Sequence, residues 1–157
     1  MVRVRPYAHA DLDAAAGIHA EAFARQQHST EWIASNARAH PRVRLYVAEL
    51  DAAVRGFILW TERSGFRSEV VLELEQIAVA AKYRRLGIGE ALIRGSLPDV
   101  ANQLAGRSAN LKAVIVSTRA DSAAQRLYRK TLGAEVEAQL SSLYSADEVL
   151  MVARKPL

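Results

Sequence analysis

Val2-Arg3-Val4-Arg5 alternates apolar and charged residues with a period of two and runs into Pro6, which predicts a short edge strand. The period then lengthens. Leu12, Ala15, Ile18, Ala22 and Phe23 fall on one helical face behind Asp11, a residue type suited to capping. A second helix is predicted from Ser29 or Thr30 through Trp32, Ile33 and Ala37, stopped by Pro41. Val43–Glu49 and Val54–Trp60 read as strands joined by a hairpin at residues 50–53, and Glu69–Val79 as a third. Glu90–Leu104 has helical character, with Pro98 expected to bend or break it. Lys112–Thr118 reads as a buried strand because its Ala-Val-Ile-Val centre has no polar side.

The last third predicts a helix capped by Asp121, with Ala124, Leu127, Tyr128, Thr131 and Leu132 on one face and Gly133 at its end. Val136–Leu140 and Val149–Val152 close the chain as two strands. The order βααβββαβαββ predicts a mixed α/β fold, a sheet with helices packed on its faces. Residues 1–157 read as one domain, with neither repeat nor linker.

Composition narrows the chemistry. Cysteine is absent, which excludes disulfides, thiolate metal sites and a cysteine nucleophile. No apolar run approaches the roughly 20 residues of a membrane span, and no signal pattern opens the chain, so a cytoplasmic location and no membrane partner are expected. The formal charge of +4 favours anionic ligands. Lys and Arg are scattered rather than clustered, so no nucleic-acid partner is expected and a polyphosphate fits better. His9, His19, His28 and His40 show no metal spacing and read as surface residues; no metal is expected.

The richest segment runs from Gln76-Ile77-Ala78-Val79 through Tyr83-Arg84-Arg85-Leu86-Gly87-Ile88-Gly89 into Glu90-Ala91-Leu92. A strand enters a basic turn with two glycines, and a helix leaves it. Glycine lets backbone approach a ligand, and the first amides of a helix lack internal partners and attract anions. Arg84 and Arg85 add charge. A P-loop string is absent, and Leu92 stands where a dinucleotide fingerprint needs its third glycine. A tight strand-to-helix turn with no ligand is the alternative.

Arg84-Arg85-Leu86-Gly87-Ile88-Gly89 resembles the Gln/Arg-x-x-Gly-x-Gly/Ala signature of the GNAT N-acetyltransferases. The opening Val-Arg-Val-Arg-Pro, the Ala-Glu-Leu-Asp-Ala-Ala-Val-Arg-Gly-Phe-Ile segment and the element order resemble the family over nearly the whole chain. The resemblance implies a GNAT fold around a largely antiparallel, twisted sheet, with two central strands splaying apart after Val79. It implies acetyl-CoA as cosubstrate, its pantetheine against Ile77, Ala78 and Val79 and its pyrophosphate against the amides of Arg84, Arg85, Leu86, Gly87, Ile88, Gly89 and Glu90. It also implies direct attack of a primary amine on the thioester through a tetrahedral intermediate, with no acyl-enzyme; no Ser–His pair is evident in the sequence.

Asp121-x-x-Ala124-x-x-Leu127-Tyr128 resembles the family's Asn-x-x-Ala-x-x-Leu-Tyr helix. The resemblance implies that Tyr128 protonates the leaving thiolate and that Asp121 contacts the cosubstrate. This chain departs from the pattern in Asp121 for Asn, in one extra residue before Gly133 and in Ala134 where an aromatic is common. A core aromatic is the alternative role for Tyr128. An amine also needs a base. Glu73 and Glu75 stand on the strand that leads to Ile77, and alternation puts 73, 75, 77 and 79 on one face. Glu73 is slightly preferred; the alternative is that both are ordinary strand residues facing water. Phe23, Trp32, Trp60, Phe66 and Tyr144 are candidates to line an acceptor pocket, with core or rim packing the alternative for each. The acceptor is open between a small amine and a protein N-terminus or lysine, and homodimerisation is open too. The rival function is a non-catalytic acetyl-CoA-binding sensor or partner module.

Overall fold

The computed structural model describes residues 1–63 and 65–157. Its elements are β1 (Arg3–Pro6), α1 (Leu12–Ala22), α2 (Ser29–Arg38), β2 (Val43–Leu50), β3 (Ala53–Arg63), β4 (Glu69–Val79), α3 (Ile88–Ala105), β5 (Asn110–Arg119), α4 (Ala124–Leu132), β6 (Glu135–Leu140) and β7 (Glu148–Ala153). The strands form a mixed seven-stranded sheet in the order β1-β2-β3-β4-β5-β7-β6. The β4–β5 pair is parallel, and the β1–β2, β2–β3, β5–β7 and β6–β7 pairs are antiparallel. This is the mixed, largely antiparallel α/β arrangement expected from the sequence.

The chain divides into two compact units. The first comprises Met1–Thr61 and Gln76–Val100. Its core joins the inner faces of α1 and α2 to β2 and β3 through Ala15, Ile18, Ile33, Val47, Phe57 and Leu59. The β2–β3 hairpin turns on Asp51 and Ala52, both with positive φ, as a tight two-residue turn requires. Arg5 bridges Asp11 and Glu49, donating to Asp11 at 2.7 and 2.8 Å and to Glu49 at 2.8 Å. Asp11 also accepts from the Ala8 amide at 2.8 Å, so its carboxylate secures the single 3₁₀ turn His9–Asp11 instead of capping α1.

Of the two outcomes expected of Pro98, breaking is excluded: α3 runs unbroken from Ile88 to Ala105. Pro98 and Arg94 are both exposed, so the carbonyl deprived of its helical donor can turn to water while Leu97 and Val100 stay buried. Trp60 takes the core role: it is fully buried, and its indole donates to Ser96 Oγ at 2.8 Å.

The second unit comprises Glu62–Glu75 and Ala101–Leu157. Leu72, Val114, Val116, Leu132 and Met151 are buried in it. Glu62 is buried as well, and its charge is met by a two-pronged ion pair with Arg107, whose guanidinium also stacks on Phe66. The β4–β5 register runs from Glu69↔Asn110 to Glu73↔Ile115. Among the described residues the ladder therefore ends well short of Val79, upstream of the parting that the resemblance implies.

α4 begins at Ala124, later than predicted. Asp121 does not cap it: the carboxylate pairs with Arg119 at 3.0 Å, and the Ala124 amide donates to Ser122 Oγ at 3.1 Å instead. Gly133 closes α4 in the left-handed conformation, φ 67°, with its amide returning to Arg129 O.

Candidate functional site

The Arg84–Glu90 turn lies wholly in the first unit. Two residues in it have positive φ, Arg85 at 65° and Gly87 at 80°. The left-handed conformation costs a non-glycine residue about 1–2 kcal/mol, so Arg85 is held there by its surroundings. A Cβ added to Gly87 would meet no atom within 4 Å. The space beside this backbone is open, and glycine is required by conformation instead of by crowding. The Ala91 amide donates to Gly87 O at 3.0 Å, which leaves the amides of Ile88, Gly89 and Glu90 ahead of the helical ladder. Leu86 is exposed. Arg84 donates from Nε to Val79 O at 3.2 Å, tying the turn to the end of β4. Glu90 is drawn along its helix to Arg94 at 2.9 Å. Amides ahead of the helical ladder, together with the charges of Arg84 and Arg85, give this turn the chemistry of an anion site.

Along β4, exposure alternates strictly from Val70 to Val79. Glu73, Glu75, Ile77 and Val79 take the half-buried positions, and Gln76 and Ala78 the buried ones. The expected shared face for residues 73, 75, 77 and 79 holds. Arg63 Nε approaches Glu73 Oε1 at 3.3 Å. Burial pushes the Glu73 carboxyl above its ordinary value; Arg63 opposes that rise and neighbouring Glu75 adds to it.

Tyr128 lies on α4 in the second unit, 5% exposed. Desolvation pushes its phenol up to about 12. No described residue hydrogen-bonds its hydroxyl, yet no fully buried side-chain oxygen or nitrogen lacks a partner among the described residues. The ring is therefore packed while the hydroxyl tip still meets solvent. Asp121 is exposed, and Arg119 holds its carboxyl below the ordinary range.

Of the aromatic candidates, Phe23 and Trp32 are half-buried, with ring centroids 5.1 and 6.3 Å from that of His19. Phe66 and Tyr144 are exposed.

His19 overturns the expectation of four surface histidines, because it is completely buried in the first unit. The signal was its position one turn after Ala15, on the apolar face of α1. Its Nδ1 lies 2.7 Å from Ser29 Oγ and its Nε2 2.9 Å from Gln26 Oε1. A serine–histidine pair is thus present where the sequence showed none. Among the described residues no cluster of three or more His, Asp or Glu side chains could hold a metal, and no helix is long and apolar enough to cross a membrane.

Comparison with known proteins gives a consistent picture. A family model described as the acetyltransferase (GNAT) family matches residues 11–134. Among solved structures, Ard1 from Thermoplasma volcanium is similar at 22% identity, over 96% of this chain and 95% of that one, with a TM-score of 0.75. Arabidopsis thaliana NAA60 in complex with acetyl-CoA is similar at 20% identity, over 97% of both chains, with a TM-score of 0.75. The ribosomal-protein-S18-alanine N-acetyltransferase from Escherichia coli is similar at 22% identity, over 100% of this chain and 96% of that one, with a TM-score of 0.71. At these identities the likeness establishes the fold. No curated protein sequence matches the chain.

Proposed function

Because the chain belongs to the acetyltransferase (GNAT) family, we propose that it moves an acetyl group from acetyl-CoA to a primary amine, with residues 1–157 acting as one domain. The observation that carries this reading is the Arg84–Glu90 turn, with Gly87 at φ 80° beside open space. That backbone suits a pyrophosphate, and the NAA60 structure contains acetyl-CoA. In this reading the amides from Arg84 to Glu90 hold the phosphates, while Ile77, Ala78 and Val79 of β4 present main-chain groups to the pantetheine amides.

Acetyl-CoA supplies the activated acyl group; the chain supplies position and protons. Glu73 takes the proton from the incoming ammonium, directly or through water. Its half-buried carboxyl is a stronger base than an exposed one. Glu75, on the same face, is the second candidate. Tyr128 gives a proton to the departing thiolate. A phenol raised to about 12 is fully protonated at neutral pH, as an acid must be. Asp121 has no part in this scheme, since Arg119 engages it.

The acceptor is a primary amine. The Escherichia coli enzyme is named for an alanine of a ribosomal protein, which makes a peptide N-terminus the first acceptor to test, before free polyamines and amino acids. Acetyl-CoA is expected to raise the melting temperature by mass action, and thiol release with a panel of amines should single out an acceptor. A well-folded sample with no thermal shift at millimolar acetyl-CoA would overturn the reading. A shift with no thiol release from any amine would leave a binding module instead of an enzyme.

A further inference from the structure

One chain of hydrogen bonds in the first unit has a direction that can be deduced. Trp32 Nε1 can only donate, and it lies 2.8 Å from Gln76 Oε1. That fixes the Gln76 amide, whose Nε2 donates at 3.1 Å to Gln26 Oε1. An oxygen that accepts from Gln76 must accept from His19 too, so the His19 Nε2 at 2.9 Å carries a proton. Burial keeps the imidazole neutral by lowering its pKa. Nδ1 then holds the lone pair, and the Ser29 hydroxyl at 2.7 Å must be the donor. A donor-only indole at one end thus commits the serine at the other end to giving its proton to histidine.

That is the polarity of a nucleophile, a base and an orienting group. Ser29 and Gln26 stand in the wall of an open cavity of about 800 Å³ between α1 and α2. Ser29 is also the first residue of α2, where the Trp32 amide makes the first helical bond, to His28 O. The Thr30 and Glu31 amides precede that bond, and both residues line the same cavity, which makes them candidate donors to an oxyanion.

The geometry points to a second reactive centre, in which Ser29 is acylated by short uncharged or cationic esters and then releases the acyl group to water. Asp13 and Glu31 in the cavity wall, set against Arg38 alone, disfavour an anionic donor. In the first half, Ser29 Oγ bonds to the carbonyl carbon and its proton passes to His19 Nδ1. The carbon–oxygen bond to the leaving alcohol breaks, and that oxygen takes the proton from Nδ1. In the second half a water molecule attacks the acyl carbon and gives its proton to Nδ1. The bond to Ser29 breaks, Ser29 recovers the proton, and a carboxylic acid departs. Gln26, Gln76 and Trp32 are positioning residues that fix the tautomer.

The test uses the intact chain and p-nitrophenyl acetate, without acetyl-CoA, so it stands apart from the fate of the proposed acetyltransfer. The expected result is nitrophenol release together with one acetyl group mapped by mass spectrometry to Ser29. Ser29→Ala should lose both, and His19→Gln should slow release about 10²–10⁴-fold, the range for general base assistance. The ¹⁵N shifts of His19 in the unaltered protein should report the Nε2–H tautomer, and Trp32→Phe should let the Nδ1–H form appear. An Nδ1–H tautomer in the unaltered protein would overturn the proposal. So would the absence of acetyl on Ser29, and neither result depends on a variant that might fail to fold.

Discussion

The glycine turn and the α4 helix divide the proposed chemistry between backbone and side chain. From Arg84 to Glu90 the main chain provides the site: left-handed φ at Arg85 and Gly87, and amides that precede the helical ladder. On α4 a single buried ring provides it, with an ordinary helix around Tyr128 and a hydroxyl that no described residue engages. A backbone site resists most side-chain changes and fails when φ is restricted. A side-chain site fails when one atom is removed and leaves the backbone untouched. Affinity for acetyl-CoA should therefore follow the turn, and turnover should follow Tyr128.

The largest effect expected is on turnover. Tyr128→Phe should lower the rate of thiol release by at least about tenfold, since general acids contribute roughly 10²–10⁴-fold, while acetyl-CoA affinity by calorimetry stays unchanged. An equal loss of affinity would mean that the ring, and not its proton, matters. Next comes Gly87→Val, which forces a β-branched residue into φ 80°. Losing one or two charge-assisted bonds of about 1.5–3 kcal/mol should weaken acetyl-CoA by roughly tenfold to a hundredfold. Normal affinity in a folded Gly87→Val protein would move the phosphates elsewhere.

Smaller effects follow from protonation. Glu73 works as a base only when ionised, and its folded value lies above 4.5. The rate should fall as pH drops through that raised value. Glu73→Gln should shift the acidic limb upward, toward the pKa of the amine, with a loss of about tenfold at neutral pH that higher pH partly restores. If Glu75→Gln alone moves the limb, the roles of the two carboxylates are exchanged. Tyr128 also leaves a mark on stability. Its folded value of about 12 exceeds the ordinary 10.0, so the folded state holds that proton more tightly. That contribution is complete below about pH 10 and is lost as pH climbs through about 12; Tyr128→Phe should remove this alkaline dependence from denaturation curves. The smallest effect expected is none: Asp121→Ala should leave affinity and turnover within about twofold, because an exposed ion pair contributes little.

The same contrast explains what could be read from the chain directly. Backbone demands leave marks in sequence: Gly87 and Gly133 occupy positions that need positive φ, and Val2–Arg5 and the β4 residues alternate as a strand requires. Helix boundaries were legible where a breaker set them and misplaced where a side chain had a rival partner. Asp121 has capping chemistry, but Arg119 claimed its carboxylate; Pro98 has breaking chemistry, but it faces water. The Trp32–Gln76–Gln26–His19–Ser29 series was invisible because its joints link residues brought together only by folding, with Trp32 and Gln76 separated by 44 positions. Spacing rules reach one or two turns of helix, and a tertiary hydrogen bond obeys none of them.

The bond from Arg84 to Val79 O has a consequence for how a ligand would be greeted. A free arginine side chain carries about 2 kcal/mol of rotamer entropy, which an anion normally extinguishes on capture. Arg84 has surrendered part of that freedom in advance, because its Nε–H is already anchored to a rigid strand. The anchor uses one of five N–H groups and leaves the terminal fork for the anion. A guanidinium so tethered behaves less like a tentacle searching solution and more like a fixed tooth at the rim of the turn, selecting for anions whose oxygens arrive where it already points.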